Sequence, residues 1–248
     1  MDLISVEDQG AVALVRLQNN VTNAINPQLL EELLEAIAMI EGSFGGLVLA
    51  GGSKFFCIGL DLPALLNMNR RQMDAFWDRF DLALMTLYGL PMPSAAAIAG
   101  HATAGGAILA LTQDFRYVAE GRNLIGLNEV NIGLPVPFLA DLMLRQIVGE
   151  RTATKLMFGG ELISPHDAYR SGLVDDVRPE NDLERHTVDK IAELAQRPRK
   201  AFSIIKQNRT MAVLEQFRQQ QACQKQALLD CWFDADVQQM LHKAAEKF

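Results

Sequence analysis

The stretch that most constrains this chain runs from Ser94 to Glu129: S-A-A-A-I-A-G-H-A-T-A-G-G-A-I-L-A-L-T-Q-D-F-R-Y-V-A-E-G-R-N-L-I-G-L-N-E. Ser94 to Ala99 is an uncharged run of small and β-branched residues, the composition of a strand covered on both faces. Gly100 ends it. His101 to Gly106 holds no large apolar side chain and reads as a glycine turn, in which Gly105-Gly106 lets backbone approach whatever lies above. Ala104 to Thr112 are good helix formers, which sets the amides around Gly105 at an exposed helix N-terminus, a backbone anion site. The run then closes on Glu129, the only charged residue between Asn123 and Ala140. A carboxylate in such surroundings needs a reason.

Charge and cysteine use exclude several function classes. Lys and Arg total 23 against 30 Asp and Glu in 248 residues, a balance of −7 with no basic cluster denser than Arg197-Pro198-Arg199-Lys200, so nucleic acid is a poor partner. Cys57, Cys223 and Cys231 have no CxxC spacing and cannot all pair, which points to free thiols in a reducing compartment. The acidic N-terminus turns directly into a strand pattern, so no signal or transit segment is expected. Ser94 to Leu111 approaches spanning length but is mostly alanine and glycine, too weakly apolar for a membrane helix. A cytoplasmic protein is expected.

The order of elements predicts the fold class. Ile4 to Leu17 reads as a hairpin turning at Asp8-Gln9-Gly10, and Asn26-Pro27 caps a helix whose apolar face recurs from Leu29 to Ile40. Leu47 to Ala50 is a strand, followed by a second glycine-punctuated turn, G-G-S-K-F-F-C-I-G-L-D-L, and an amphipathic helix from Arg70 to Tyr88. With the central run, this alternation predicts right-handed crossovers and a mostly parallel α/β sheet. Beyond Pro135 the pattern is helical, at 138–148, 151–158, 165–171, 183–195, 200–214 and 215–248, with one short strand near 174–177. We read a sheet-bearing core over 1–180 and a helical tail over 181–248, packed on a neighbour or on its own core.

The turns at Gly59-Leu60 and Gly105-Gly106 are the places where two main-chain amides can converge on one oxygen and stabilise developing negative charge. Either turn alone reads more simply as a tight turn and a close-packing device. There is no G-x-S-x-G, no phosphate-loop lysine, no G-x-G-x-x-G, and the four histidines lack ligand spacing, so no metal is expected. Glu129 remains as a base or as a structural acid; an apolar pocket would raise its proton affinity toward the range useful for taking a proton from carbon. Asp61 reads as the cap of a helix starting near Pro63. His101 reads as a satisfied loop histidine, and Lys54 either attracts an anionic ligand or is solvated.

F-F-C-I-G-L-D-L (Phe55–Leu62), A-I-A-G-H-A-T-A-G-G-A-I-L-A-L (Ala97–Leu111), D-F-R-Y-V-A (Asp114–Ala119), L-N-E-V-N-I-G-L-P (Leu127–Pro135) and R-S-G-L-V-D-D-V (Arg170–Val177) occur in the order that resembles the crotonase, or enoyl-CoA hydratase/isomerase, superfamily. The resemblance covers nearly the whole chain. It implies a ββα-spiral core, a C-terminal helical trimerisation region, homotrimers or dimers of trimers, and an acyl-CoA thioester as substrate with no separate cofactor. It also implies an oxyanion hole from the amides of Leu60 and Gly105, and substrate or CoA contacts from Lys54, Phe56, Ile58, Leu60, His101, Gly105 and Ile108. Hydratases of this type carry a second glutamate where Ile108 stands here. A lone acid at Glu129 is similar to the mitochondrial type of Δ3-Δ2-enoyl-CoA isomerase, which serves β-oxidation of unsaturated chains. Hydration, another enolate chemistry on a CoA ester, and an inactive acyl-CoA-binding member stay open as alternatives.

Overall fold

The computed structural model describes residues 1–246. At the N-terminus, β1 (Ile4–Gln9) and β2 (Val12–Leu17) form the expected antiparallel hairpin, with Gln9 opposite Val12. Asn26 caps α1 (Pro27–Ile40) by accepting the Leu29 amide at 2.9 Å. The chain then passes through β3 (Gly46–Ala50), β4 (Phe55–Cys57), α2 (Leu62–Leu65), α3 (Arg70–Tyr88), β5 (Ser94–Ile98), β6 (His101–Thr103), α4 (Gly105–Leu111), β7 (Phe115–Ala119) and β8 (Ile125–Gly126). A 3₁₀ turn at Glu129–Ile132 precedes α5 (Phe138–Val148), α6 (Glu150–Gly159), α7 (Pro165–Arg170), β9 (Asp176–Arg178), α8 (Glu180–Ala195), α9 (Arg199–Trp232) and α10 (Ala235–Ala245).

Two sheets result. The larger has the order β1-β2-β3-β5-β7-β9 and is parallel beyond the hairpin. Its near-continuous apolar strands are explained by cover on both faces. Ala13, Val15, Leu47 and Leu49 face the main core with α1 and α3, whereas Val12, Leu14, Val48, Ala95 and Ala97 face a second core completed by Leu183 and Ile191 of α8. Gly46 admits that helix: a Cβ there would lie 2.4 Å from Ile191 Cγ2.

The smaller sheet, β4-β6-β8, is parallel and corrects the reading of His101 to Thr103 as turn. Its strands are two or three residues long, too short to display an alternating pattern, yet Ala102 N donates to Leu124 O and Ala104 N to Gly126 O, both at 2.9 Å. The tail also differs from expectation. No glycine or proline interrupts 199–232, so the two helices expected there are one, and the break falls at Asp234, whose carboxylate caps α10 through the amides of Asp236 and Val237. The described tail packs on its own chain, α9 against α3 and α5, and α10 against α2 and the 3₁₀ turn. No helix among the described residues is long and apolar enough to cross a membrane.

A buried amine fastens α9 to the central strand. Lys206 Nζ donates to Asp114 Oδ2 at 2.8 Å, Met92 O at 2.9 Å and Ser94 Oγ at 3.3 Å. Burial pushes its pKa down and Asp114 opposes the shift. Removing one partner of a buried pair typically costs about 3 kcal/mol, because the other is left uncompensated. Lys206→Met is therefore expected to lower the free energy of urea unfolding by about that amount; an unchanged midpoint and slope would contradict this assignment.

Candidate active site

The site is assembled from two turns in backbone contact. In the first, between β4 and α2, nearly every peptide group is already engaged: Ile58 N donates to Thr22 O at 3.1 Å, Ile25 N to Gly59 O at 2.7 Å, Asp61 N to Ile25 O at 2.9 Å and Leu62 N to Leu60 O at 2.9 Å. The Gly59 amide lies 3.4 Å from Cys57 Sγ, and the Asp61 carboxylate caps α2 by accepting from Ala64 N at 3.1 Å. The Leu60 N–H is left over, with no acceptor among the described residues.

The second turn joins β6 to α4. Ala104 is held at φ 48°, ψ −122°, a conformation that L-residues rarely adopt, and the Gly105 N–H that follows also has no acceptor among the described residues. Instead of an exposed helix N-terminus, Gly105 and Gly106 are both buried. A Cβ on Gly59, itself at φ +102°, would stand 3.0 Å from Gly105 N, and one on Gly106 would stand 1.9 Å from Cys57 O. Only glycine permits this approach.

Both turns border a cavity of about 140 Å³. Ile58, Leu60, Gly105, Ile108 and Glu129 lie on its wall, together with Leu62, Trp77, Phe80 and Asn128 from the core and Leu228 and Ala244 from the tail. The other expected contacts are placed elsewhere. Phe56 is fully buried in the main core and is not on the wall of this cavity. His101 lies off the cavity, its Nδ1 accepting the Leu124 amide at 3.0 Å and its ring 5.4 Å from that of Phe55. Lys54 is exposed, also away from the cavity, with its ammonium 5.3 Å from the Phe55 ring centroid.

Glu129 opens the 3₁₀ turn, which Gly133 terminates at φ +78° and which Asn131 Nδ2 pins to Gly160 O at 2.7 Å. The residue is 5% exposed, and neither carboxylate oxygen has a hydrogen-bond partner among the described residues. Burial raises its pKa from 4.5 to about 7, its own backbone amide pulling weakly the other way. Asn128 Oδ1 and Trp77 Nε1 are also buried without partners among the described residues, and both residues contribute to the cavity wall. Sequence reasoning missed Asn128, Trp77, Phe80 and Leu228. Trp77, Phe80 and Leu228 belong to apolar helix faces that look like ordinary core, whereas Asn128 had a signal in standing beside the isolated acid.

The model of a family described as enoyl-CoA hydratase/isomerase matches residues 7–248. The chain belongs to that family. Among curated relatives, the human mitochondrial enoyl-CoA delta isomerase 1 is 31% identical over 191 residues, 75% of this chain and 63% of the human protein. The chain thus matches somewhat under two thirds of that relative's length. A putative enoyl-CoA hydratase from Thermus thermophilus is 35% identical over 184 residues, 71% of either chain. Among solved structures, human mitochondrial delta3-delta2-enoyl-CoA isomerase superimposes with a TM-score of 0.95 at 27% identity, over 99% of this chain and 97% of that one. The crotonase fold expected from the motifs is the fold observed.

The raised pKa of Glu129 fixes the sign of a stability effect. A carboxyl that holds its proton more tightly folded than unfolded leaves stability intact below about pH 4.5 and removes it as pH rises through about 7. Glu129→Gln, which cannot ionise, is expected to unfold like the parent at pH 4 and to be more stable at pH 9, by up to about 3 kcal/mol. Chemical denaturation at both pH values tests this; equal stability at pH 9 would mean that Glu129 ionises without penalty.

Proposed function

We propose that this protein is a Δ3-Δ2-enoyl-CoA isomerase, in which Glu129 alone moves the proton and the amides of Leu60 and Gly105 hold the charge. The observation that carries the reading is the buried, unpartnered carboxylate sharing a cavity wall with two turns whose N–H groups lack acceptors. A thioester carbonyl between those amides has its α-proton acidified, because charge developing on oxygen meets two fixed donors. Glu129 removes a proton from C2; the C–H electron pair delocalises through C2–C3–C4 and onto the thioester oxygen. The same carboxyl then gives its proton to C4: the C3–C4 π pair forms the new C4–H bond, the C1–C2 pair of the enolate moves into C2–C3 as the thioester carbonyl re-forms, and the trans-2-enoyl thioester results. No water is consumed.

Ile108 separates this reaction from hydration. It stands on the cavity wall, 1% exposed, where the resemblance puts the second acid of hydratases. An alkyl side chain can neither hold nor activate a water molecule. The apolar lining from Trp77, Phe80 and Leu228 suits an alkyl chain, and a pKa near 7 suits a group that must both take and return a proton.

The test uses purified protein with 3-hexenoyl-CoA and crotonyl-CoA, the products being distinguished by mass. Isomerisation of the first with negligible hydration of the second is expected, and rapid hydration without isomerisation would overturn the proposal. Glu129→Gln should keep its fold and lose turnover by at least about 10³-fold. For the parent, kcat/KM should rise with pH through about 7 as the base ionises. A flat profile would remove Glu129 from the role of base.

A further inference from the structure

The two amides lie on separate turns, so their spacing depends on what ties those turns together. The β4–β6 ladder ties them only as far as the pairing of Cys57 with Ala102, and its register shifts between Phe55 and Cys57. The ladder ends at that pair, and the two chains run on in close contact, one to Leu60 and the other to Gly105. Where the ladder ends a side chain continues it: Thr103 Oγ1 donates to Ile58 O at 3.0 Å. Thr103 stands two residues before Gly105 and Ile58 two residues before Leu60. The bond therefore spans the base of the amide pair.

Each turn is otherwise anchored to a different part of the chain. The Leu60 turn hangs on Thr22 and Ile25, and the Gly105 turn on β8 through the bond from Ala104 N to Gly126 O. Among the described residues no other side-chain hydrogen bond runs from one turn to the other. Thr103 is not among the residues lining the cavity, so removing its hydroxyl leaves the cavity wall unchanged. Valine has the same shape and strand preference but no donor.

We infer that Thr103 is a positioning residue that sets the distance between the Leu60 and Gly105 amides through its bond to Ile58 O. The inference rests on the function proposed above. Small errors in placement fall on the transition state, where the oxyanion is fully developed, more than on the bound substrate. A positioning defect therefore lowers kcat and spares KM, whereas general destabilisation lowers the fraction of active protein and is corrected by counting folded sites.

The experiment compares Thr103→Val, Thr103→Ser and the parent on 3-hexenoyl-CoA, with rates expressed per folded protein. Thr103→Ala is the second donor-free variant, should the valine protein not fold. The expected result is a kcat lower by about tenfold in the donor-free variant, a KM within about twofold of the parent, an unshifted pH profile, and recovery to within about twofold in Thr103→Ser. A donor-free variant with parental kcat, or a serine variant no better than it, would overturn the assignment while leaving the isomerase reading intact. A parent protein that neither isomerises 3-hexenoyl-CoA nor exchanges its C2 protons with heavy water would overturn both.

Discussion

The backbone contact between Gly59 and the start of α4 is the interaction on which the rest of the site depends. Peptide groups come this close only where no side chain intervenes: a Cβ on Gly106 would meet Cys57 O at 1.9 Å, and Cβ atoms on Gly59 and Gly105 would be crowded at about 3.0 Å by the facing turn and by Ile25. The strained Ala104 follows from the same requirement, since the chain must reverse from β6 into α4 without withdrawing the Gly105 amide from its neighbour. Among the described residues these two N–H groups have no acceptor, and they share the cavity wall with the unpartnered polar atoms of Glu129, Asn128 and Trp77. Buried donors without partners destabilise a fold, by about 1–3 kcal/mol each, and such atoms at a cavity wall mark a place reserved for a ligand atom.

The opposite wall obeys the same logic with the sign of charge reversed. Glu129 opens a short turn that Asn131 pins to Gly160 and the left-handed Gly133 terminates, and its carboxylate has no hydrogen-bond partner among the described residues. Desolvation then governs its proton affinity. That desolvation is contributed partly by the tail, because Leu228 of α9 and Ala244 of α10 complete the cavity. Lys206 is relevant at a distance, since it fastens α9 to the start of β5, the strand that precedes β6 and the Gly105 turn. The helical tail and the core are thus coupled through the environment of one carboxyl group.

Much of this arrangement was legible in the residues. Strands buried on both faces announced themselves as uncharged runs, the caps at Asn26 and Asp61 followed from side-chain chemistry, and the isolation of Glu129 in an uncharged segment marked it before any coordinates. The small sheet was not legible, because two or three residues per strand carry no periodicity, and its existence depends on bonds between segments far apart in sequence. The different placements of Phe56 and Ile58 were not legible for a related reason: neighbours in a motif need not face the same side, and here Ile58 borders the cavity while Phe56 fills the core. The contributions of Trp77 and Leu228 required knowing which helix closes over which turn, and that is a tertiary fact.

The central claim is that one desolvated carboxyl transfers a proton between two carbons of an enolate held by two amides. Isomerisation of 3-hexenoyl-CoA carrying deuterium at C2, run in ordinary water with the position of the label in the product read by NMR, tests it most directly. A buried Glu129 that returns the proton it removed predicts deuterium at C4 of the trans-2-enoyl product in a substantial fraction of turnovers. Deuterium lost entirely to solvent, with C4 carrying only protium, would contradict the account.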